Sequence, residues 1–141
     1  MQSSSTMPNL KIFLAFLLTA LVFFAIDLVW LGLIAKDFYA KNMGGLLSEK
    51  VKWPAAMLFY CIYIAGTLLF VVFPAVGKDV WPQALYMGAL LGLLCYATYD
   101  LTSYALIKDF PLKVVVVDLV WGTVLTAMVS TAGFFIVRWL Q

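Results

Sequence analysis

Residues 112–140 read LKVVVVDLVWGTVLTAMVSTAGFFIVRWL, a nearly unbroken apolar run with one acidic residue, Asp118, well inside it. About 20 apolar residues are enough for a helix to cross the hydrocarbon core of a bilayer. An aspartate near the centre of such a helix costs about 2.5 to 3.5 kcal/mol on insertion. The run therefore predicts a membrane-spanning helix with one acidic residue. Other interactions of the protein must offset the free energy that its insertion costs.

The composition of the whole chain is that of a membrane protein. Of its 141 residues, 65% are hydrophobic and 11% are charged, whereas soluble domains have about 45 to 50% apolar and about 25% charged residues. The length fits a single domain. The net charge of +2 is small and the lysines are scattered, so nucleic acid is excluded as a partner. We expect an all-α integral membrane protein whose main partner is the lipid bilayer.

Three further apolar runs are long enough to span a bilayer, which predicts a four-helix transmembrane bundle over residues 10–141. The predicted helices cover approximately residues 10–35, 54–76, 82–107 and 112–140, and we expect residues 1–9 to form a disordered leader. The short connections after the second and third helices make neighbouring helices antiparallel hairpins. In the longer first connection, the segment from Leu46 to Trp53 is either a short interfacial helix or a plain connector.

Three aspartates, Asp27, Asp100 and Asp118, lie inside the predicted helices. Counting from the nearest lysine at each helix end places them roughly 13, 12 and 8 Å below one membrane surface. We expect lysines at helix ends to turn toward the head groups, with Lys113 a candidate ion-pair partner for Asp118 alone. Burial and mutual repulsion oppose ionisation, so at least one of the three aspartates should be protonated at neutral pH.

Hydrogen-bond donors accompany each aspartate. Asp27 and Asp118 each open the sequence Asp-Leu-Val-Trp, so Trp30 and Trp121 follow one helical turn later with an indole N–H to donate. The hydroxyl donors near Asp100 are Tyr99, Thr102 and Ser103. We predict that these side chains and the three aspartates form a ligand-binding or proton-binding site, and we assign no catalytic residue.

Small residues mark the faces on which the helices should pack closely within one chain. Gly88 and Gly92 form a GxxxG pair on the third helix, and Tyr99 lies within about 20° of each around the axis, with Asp100 on the flank. On the fourth helix, the small residues near Asp118 are Gly122, Thr126 and Gly133.

No metal site and no cofactor are predicted. Histidine is absent from the chain, which removes the commonest metal ligand and the commonest general base near neutral pH. Cys61 and Cys95 have no CxxC spacing, so we interpret them as small core residues. Three aspartates would suit magnesium or calcium, but we favour a site without metal.

Three segments resemble a family of small bacterial four-helix membrane proteins classed only as a domain of unknown function. They are Tyr-Asp-Leu-Thr at residues 99–102, Asp-Leu-Val-Trp-Gly-Thr at 118–123 and Ile-Asp-Leu-Val-Trp-Leu-Gly at 26–32. The resemblance covers nearly the whole chain and implies the four-helix fold and a bacterial cytoplasmic membrane, but no activity. The family pattern has Asn where this chain has Ser103, so no amide role carries over.

The ends of the first and third helices are also similar to each other. Asp27-Leu28 is followed by residues 33–38, LIAKDF, and Asp100-Leu101 is followed by residues 106–110, LIKDF. Because these two helices run in the same direction, the match suggests a parallel duplication of a two-helix hairpin.

Three classes of function fit these residues. The first is binding or transport of a proton, a cation or a polar head group at the carboxyl groups, within a homo-oligomer or with a membrane-complex partner. The second is a lipid-modifying enzyme in which one aspartate is the acid and another the base. The third is a structural or accessory role. A polar contact in a membrane contributes only about 0.6 to 2 kcal/mol, which scarcely covers the cost of inserting one aspartate. This argues against a purely structural role, and among the functional roles we favour the first.

Basic residues predict the orientation of the chain in the membrane. The connections after the first and third helices hold six of the nine basic residues, and such loops face the cytoplasm. We also expect Trp53, Trp81, Trp139 and Tyr39, at helix ends, to be interfacial anchors.

Both termini should therefore face out. In a cysteine-free background, Ser4→Cys should react with a membrane-impermeant maleimide in intact cells, and Asn42→Cys in the first connection should react only after permeabilisation. The opposite labelling pattern would reverse the orientation.

Overall fold

The computed structural model describes residues 8–46, 50 and 52–141, and all regular structure in that part of the chain is helical. The first span is α1 (Asn9–Val29), which continues into a π-helical turn (Trp30–Ile34). A short helix α2 (Lys36–Met43) and a 3-10 turn (Gly44–Leu46) follow. The second span is α3 (Trp53–Thr67), a π-helical turn (Leu68–Val72) and α4 (Phe73–Lys78). The third and fourth spans are α5 (Trp81–Leu106) and α6 (Leu112–Leu140).

The predicted four-helix bundle is confirmed. Four helical stretches are long and apolar enough to cross a membrane, namely Asn9–Ile34, Trp53–Lys78, Trp81–Leu106 and Leu112–Leu140. The last three begin at a proline: Pro54 and Pro82 occupy the first turns of α3 and α5, and Pro111 precedes α6. Proline suits a helix start because its fixed φ is helical. The N–H groups of the first turn have no acceptor within the helix, so the missing N–H of proline costs no hydrogen bond there.

Two local predictions concern residues near the edges of the described chain. The leader prediction falls mostly on residues 1–7, which lie outside the described residues, and α1 already begins at Asn9. The interfacial helix predicted between Leu46 and Trp53 also lies largely outside them. The short helix that the structure shows in this connection is α2, which begins directly after the first span.

α6 is the central helix of the bundle, since it packs against α5, α1 and the second half of the second span. Its buried residues are small or β-branched along most of its length, for example Val115, Gly122 and Val129. The turn between α5 and α6 is tight, with Asp109 in the left-handed region at φ 62°. At the opposite end of α6, Arg138 Nη1 lies 3.3 Å from Asp79 Oδ1 in the turn before α5.

Glycines bring α5 and α6 into close contact. A Cβ atom on Gly92 would lie 2.1 Å from the carbonyl oxygen of Gly122, and one on Gly122 would lie 2.2 Å from the Tyr96 ring. A Cβ atom on Gly88 would lie 2.5 Å from Ser130 Oγ. The GxxxG pair therefore packs within the chain, as predicted, and holds two transmembrane backbones together.

The inward face of α5 carries Asp100, whereas Tyr99 was predicted to share the glycine face. The buried residues follow an i, i+4 row through Gly88 and Gly92 to Asp100, and Tyr99 is 57% exposed. The prediction was wrong because the interface follows the i±4 ridge, which turns by about 40° around the axis at each step.

α3 and α5 pack much less closely than α5 and α6, and a groove lined by Phe59 of α3 and Cys95 of α5 lies between them. α3 packs on α1 through an aromatic cluster in which the Phe23 and Tyr63 rings lie 5.2 Å apart, and Tyr63 shares a hydrogen bond with Thr126 of α6. The close contacts of the second span with α5 begin only at the π-helical turn Leu68–Val72. The α1–α3 hairpin is thus much looser than the α5–α6 hairpin, and this difference gives the predicted duplication no support.

Gly92→Ala should destabilise the protein by about 1 to 3 kcal/mol, because the added methyl group meets backbone that has no room to move. Gly66→Ala is the control, since its Cβ would meet only Phe70 Cδ2 at 3.9 Å. Equilibrium unfolding in detergent micelles measures both. Equal stability of the two variants would contradict the close α5–α6 contact.

Candidate functional site

A cavity of about 540 Å³ lies within the bundle at the level of the aspartates, with α2 across one side. Two of the aspartates, Asp27 on α1 and Asp118 on α6, line it, together with Lys36 at the start of α2. Six aromatic side chains complete most of the wall: Trp30, Tyr39, Tyr60, Tyr96, Tyr99 and Trp121. Helices from every part of the fold therefore contribute to one polar cavity with aromatic walls.

The two tryptophans of the Asp-Leu-Val-Trp segments meet in this cavity. Their indole rings stack with centroids 4.4 Å apart and planes inclined by 9°. Trp121 Nε1 donates to Asp27 Oδ1 at 3.4 Å, so the indole of α6 reaches the aspartate of α1. Trp30 belongs to the π-helical turn that ends the first span, and such turns recur at functional sites.

The sequence did not predict the contact of Tyr39 with Asp118, since we expected Tyr39 to be an interfacial anchor. Its hydroxyl donates a hydrogen bond to Asp118 Oδ1 and accepts one from Trp30 Nε1 at 3.3 Å. Burial, and then the hydrogen bond to Asp118, raise the pKa of the Tyr39 phenol well above its usual range. The one sequence signal was the spacing of Lys36, Tyr39 and Met43, which places them on one face of a short helix.

Asp100 lies beside Asp118 but does not line the cavity. Its side chain is 0% exposed, and neither carboxyl oxygen has a hydrogen-bond donor among the described residues. The Asp118 carboxyl group lies near enough to interact with it electrostatically. Two ionised carboxylates can only accept, so a hydrogen bond between them requires a proton on one. The geometry thus suits the predicted shared proton, which stays a prediction.

The hydroxyl groups predicted near Asp100 are placed differently from one another. Tyr99 lines the cavity, with its ring 6.3 Å from that of Phe110. Ser103 is buried one turn beyond Asp100, outside the cavity wall. Thr102 is exposed and donates to the backbone of its own helix, at Thr98 and Tyr99. The structure therefore brings Tyr99 to the site and leaves Thr102 facing away.

The two lysines near the aspartates also differ. Lys36 lines the cavity wall and is exposed, and the expectation that it turns toward the head groups stays a prediction. Lys113 lines a separate groove beside Phe38 and Leu112. In the part of the chain that the structure describes, neither lysine forms an ion pair with an aspartate. Lys36 thus lines the cavity at the surface end of the first span, and among the described residues it forms no ion pair with either carboxyl group.

The described residues contain no group of three or more His, Cys, Asp or Glu side chains arranged to hold a metal ion. The thiols of Cys61 and Cys95 are both free. Cys61 is exposed on the lipid-facing side of α3, which corrects its expected core position. Cys95 is half-buried and lines an apolar groove next to the cavity.

These features define a small integral membrane protein of four spans with an acidic, aromatic cavity among them. The chain belongs to the family described as "Predicted membrane protein (DUF2177)", whose family model matches residues 12–135. The match includes the cavity residues, and it confirms the resemblance to a membrane protein family of unknown function. Comparison with curated proteins and with solved structures gave no match.

Tyr39→Phe should destabilise the protein by about 1 to 3 kcal/mol at neutral pH, because the variant loses the hydrogen bond to Asp118. The pKa of Tyr39 is higher in the folded protein than the ordinary value of 10.0. Its contribution is therefore complete below about pH 10 and declines as the pH rises above that value. Equilibrium unfolding in micelles at several pH values measures the difference.

The matched control is Tyr86→Phe, since Tyr86 is 59% exposed. Its stability should stay near that of the unaltered protein. Equal effects of the two substitutions at neutral pH would show that the Tyr39–Asp118 contact stabilises nothing.

Proposed function

We propose that the protein binds an ammonium-type cation in the cavity lined by Asp27 and Asp118. The observation that carries the proposal is the composition of the wall, two carboxyl groups among six aromatic rings. An aromatic face attracts a cation by about 0.5 to 2 kcal/mol, most strongly where water is excluded, and aromatic cages recognise organic ammonium groups. Carboxylates add the opposite charge.

The size of the cavity favours an organic cation over a bare metal ion or a proton. Its volume of about 540 Å³ lies in the range of about 300 to 1,000 Å³ that small-molecule sites occupy. Calcium takes about six to eight oxygen ligands and magnesium about six, whereas the described residues bring two carboxyl groups to this wall. Tryptophan and tyrosine faces suit a large, weakly hydrated cation better than either metal.

A bound cation would also offset the energetic cost of the aspartates. Asp27 is half-buried and Asp118 is 8% exposed, and a charge in such surroundings is costly unless it is paired. Lys36 is exposed on the wall of the cavity and makes no ion pair with them in the described residues. A ligand that carries positive charge into the cavity would complete the pairing.

A second candidate function is acid–base chemistry on a lipid, and one observation favours it. Asp100 and Asp118 lie near enough to interact electrostatically, and Tyr39 already donates to Asp118, so a shared proton would reside on Asp100. A protonated acid next to an ionised one is the pairing that acid–base catalysis uses. Asp100 does not line the cavity, however, so binding is the better supported function.

Tetramethylammonium should bind the purified protein in micelles and change its tryptophan fluorescence saturably, because the stacked Trp30 and Trp121 line the cavity. Asp27→Asn and Asp118→Asn keep a hydrogen-bond acceptor but remove the charge. Each should weaken binding by about tenfold, as expected for loss of about 1.4 kcal/mol.

Asp37→Asn is the matched control, since Asp37 is exposed in the first turn of α2. It should leave the titration unchanged. Binding that is equally strong in all three variants would reject the carboxyl groups as the cation site. If the unaltered protein gives no saturable change, the aspartates are better explained by their hydrogen bonds to Trp121 and Tyr39, which is the structural function.

A further inference from the structure

We infer that the cation is the head group of an amine-bearing phospholipid that enters from the bilayer between α3 and α5. This inference rests on the proposed cation site and adds the class of ligand and its route. It depends on an apolar groove beside the cavity, on the opening between two helices and on the position of Lys36.

The groove lies next to the cavity and shares two of its side chains. It has a volume of about 390 Å³ and is lined by Phe59, Cys95, Tyr96 and Tyr99. Tyr96 and Tyr99 also line the polar cavity, so the two spaces adjoin through the same rings. Phe59 is 46% exposed and Tyr99 is 57% exposed, which places the groove on the outer surface of the bundle.

The opening follows from how the second span packs. α3 is held to α1 by aromatic contacts such as Phe23 with Tyr60, whose ring centroids lie 5.5 Å apart. The span contacts α5 closely only from the π-helical turn Leu68–Val72 onward. A gap between two membrane helices is filled by lipid, and an acyl chain in this gap would lie against the apolar wall of the groove.

The cavity carries a partner for each charge of such a lipid. Next to the acyl chains comes a phosphate, and then the ammonium group. Lys36 lines the cavity at the end of the first span, where the chain leaves the membrane. Asp27 and Asp118 line it inside the spans. A phosphate beside Lys36, with the ammonium group turned inward to the aspartates, would pair the charges that the described residues place on the wall.

An anionic phospholipid fits less well. A head group such as that of phosphatidylglycerol has no ammonium group, so it would bring only its phosphate to a cavity where the described residues provide two carboxyl groups and one lysine. A soluble amine would satisfy the aspartates but would make no use of the apolar groove. The wall as a whole thus favours a zwitterionic lipid over either alternative.

Native mass spectrometry of the full-length protein in micelles tests this inference. Phosphatidylethanolamine, phosphatidylcholine and phosphatidylglycerol with identical acyl chains are compared, with soluble phosphoethanolamine as a fourth probe. The two zwitterionic lipids, whose head groups end in an ammonium-type cation, should bind about tenfold more tightly than phosphatidylglycerol, and phosphoethanolamine should bind more weakly than either. Equal binding of all three lipids would overturn the inference.

Matched variants locate the lipid. Cys95→Trp fills the groove and should remove most of the bound lipid, whereas Cys61→Trp adds the same ring on the exposed side of α3 and should not. Lys36→Gln should weaken lipid binding by about tenfold, and Lys41→Gln, on the exposed side of α2, should leave it unchanged. Equal effects within either pair would place the lipid elsewhere.

Tetramethylammonium separates failure of this inference from failure of the cation site. Cys95→Trp should keep tetramethylammonium binding, because Cys95 lines the groove and not the cavity, and this result also shows that the variant is folded. If tetramethylammonium binds through Asp118 while no lipid is preferred, the lipid inference fails and the cation site stands. If neither binds, both fail.

Discussion

The constraint on which this structure depends is the cost of a carboxyl group inside a bundle of membrane-spanning helices. Three aspartates lie in three different spans, and each must be hydrogen-bonded, protonated or paired with a positive charge. Asp27 accepts from Trp121 and Asp118 accepts from Tyr39. Asp100 has no donor among the described residues and lies beside Asp118. Three features of the structure reduce that cost, namely the stacked tryptophans, the position of α2 and the contact of the two acids.

The packing of the helices decides which aspartates meet and which face the cavity. Gly92 and Gly122 bring α5 and α6 so close that Asp100 is sealed between them, whereas the looser contacts of α1 leave Asp27 half-buried beside the cavity. The gap between α3 and α5 keeps the cavity near the lipid. The tight hairpin thus buries both of its acids, of which Asp118 lines the cavity, whereas the loose hairpin leaves Asp27 half-buried there.

The sequence predicted much of this arrangement, because hydropathy, helix direction and helical spacing are local properties. They sufficed for the four spans and for Trp121 as an indole donor to an aspartate, whereas Trp30 donates to Tyr39. Tyr39, Lys36 and Tyr60 could not be predicted, since their positions depend on how α2 and α3 pack against the other helices. Tyr99 was assigned to the wrong face because the crossing of α5 and α6 follows an i±4 ridge. The π-helical turn at Trp30 has no clear sequence signature.

The central claim is that an ammonium group occupies the cavity between the aspartates and the aromatic rings. Nuclear Overhauser contacts between the methyl protons of tetramethylammonium and the indole protons of the protein in micelles test it directly. We expect contacts to Trp30 and Trp121 that are lost in Asp118→Asn. Contacts only to Trp139, which is 77% exposed at the end of α6, or contacts that persist in the variant, would contradict it.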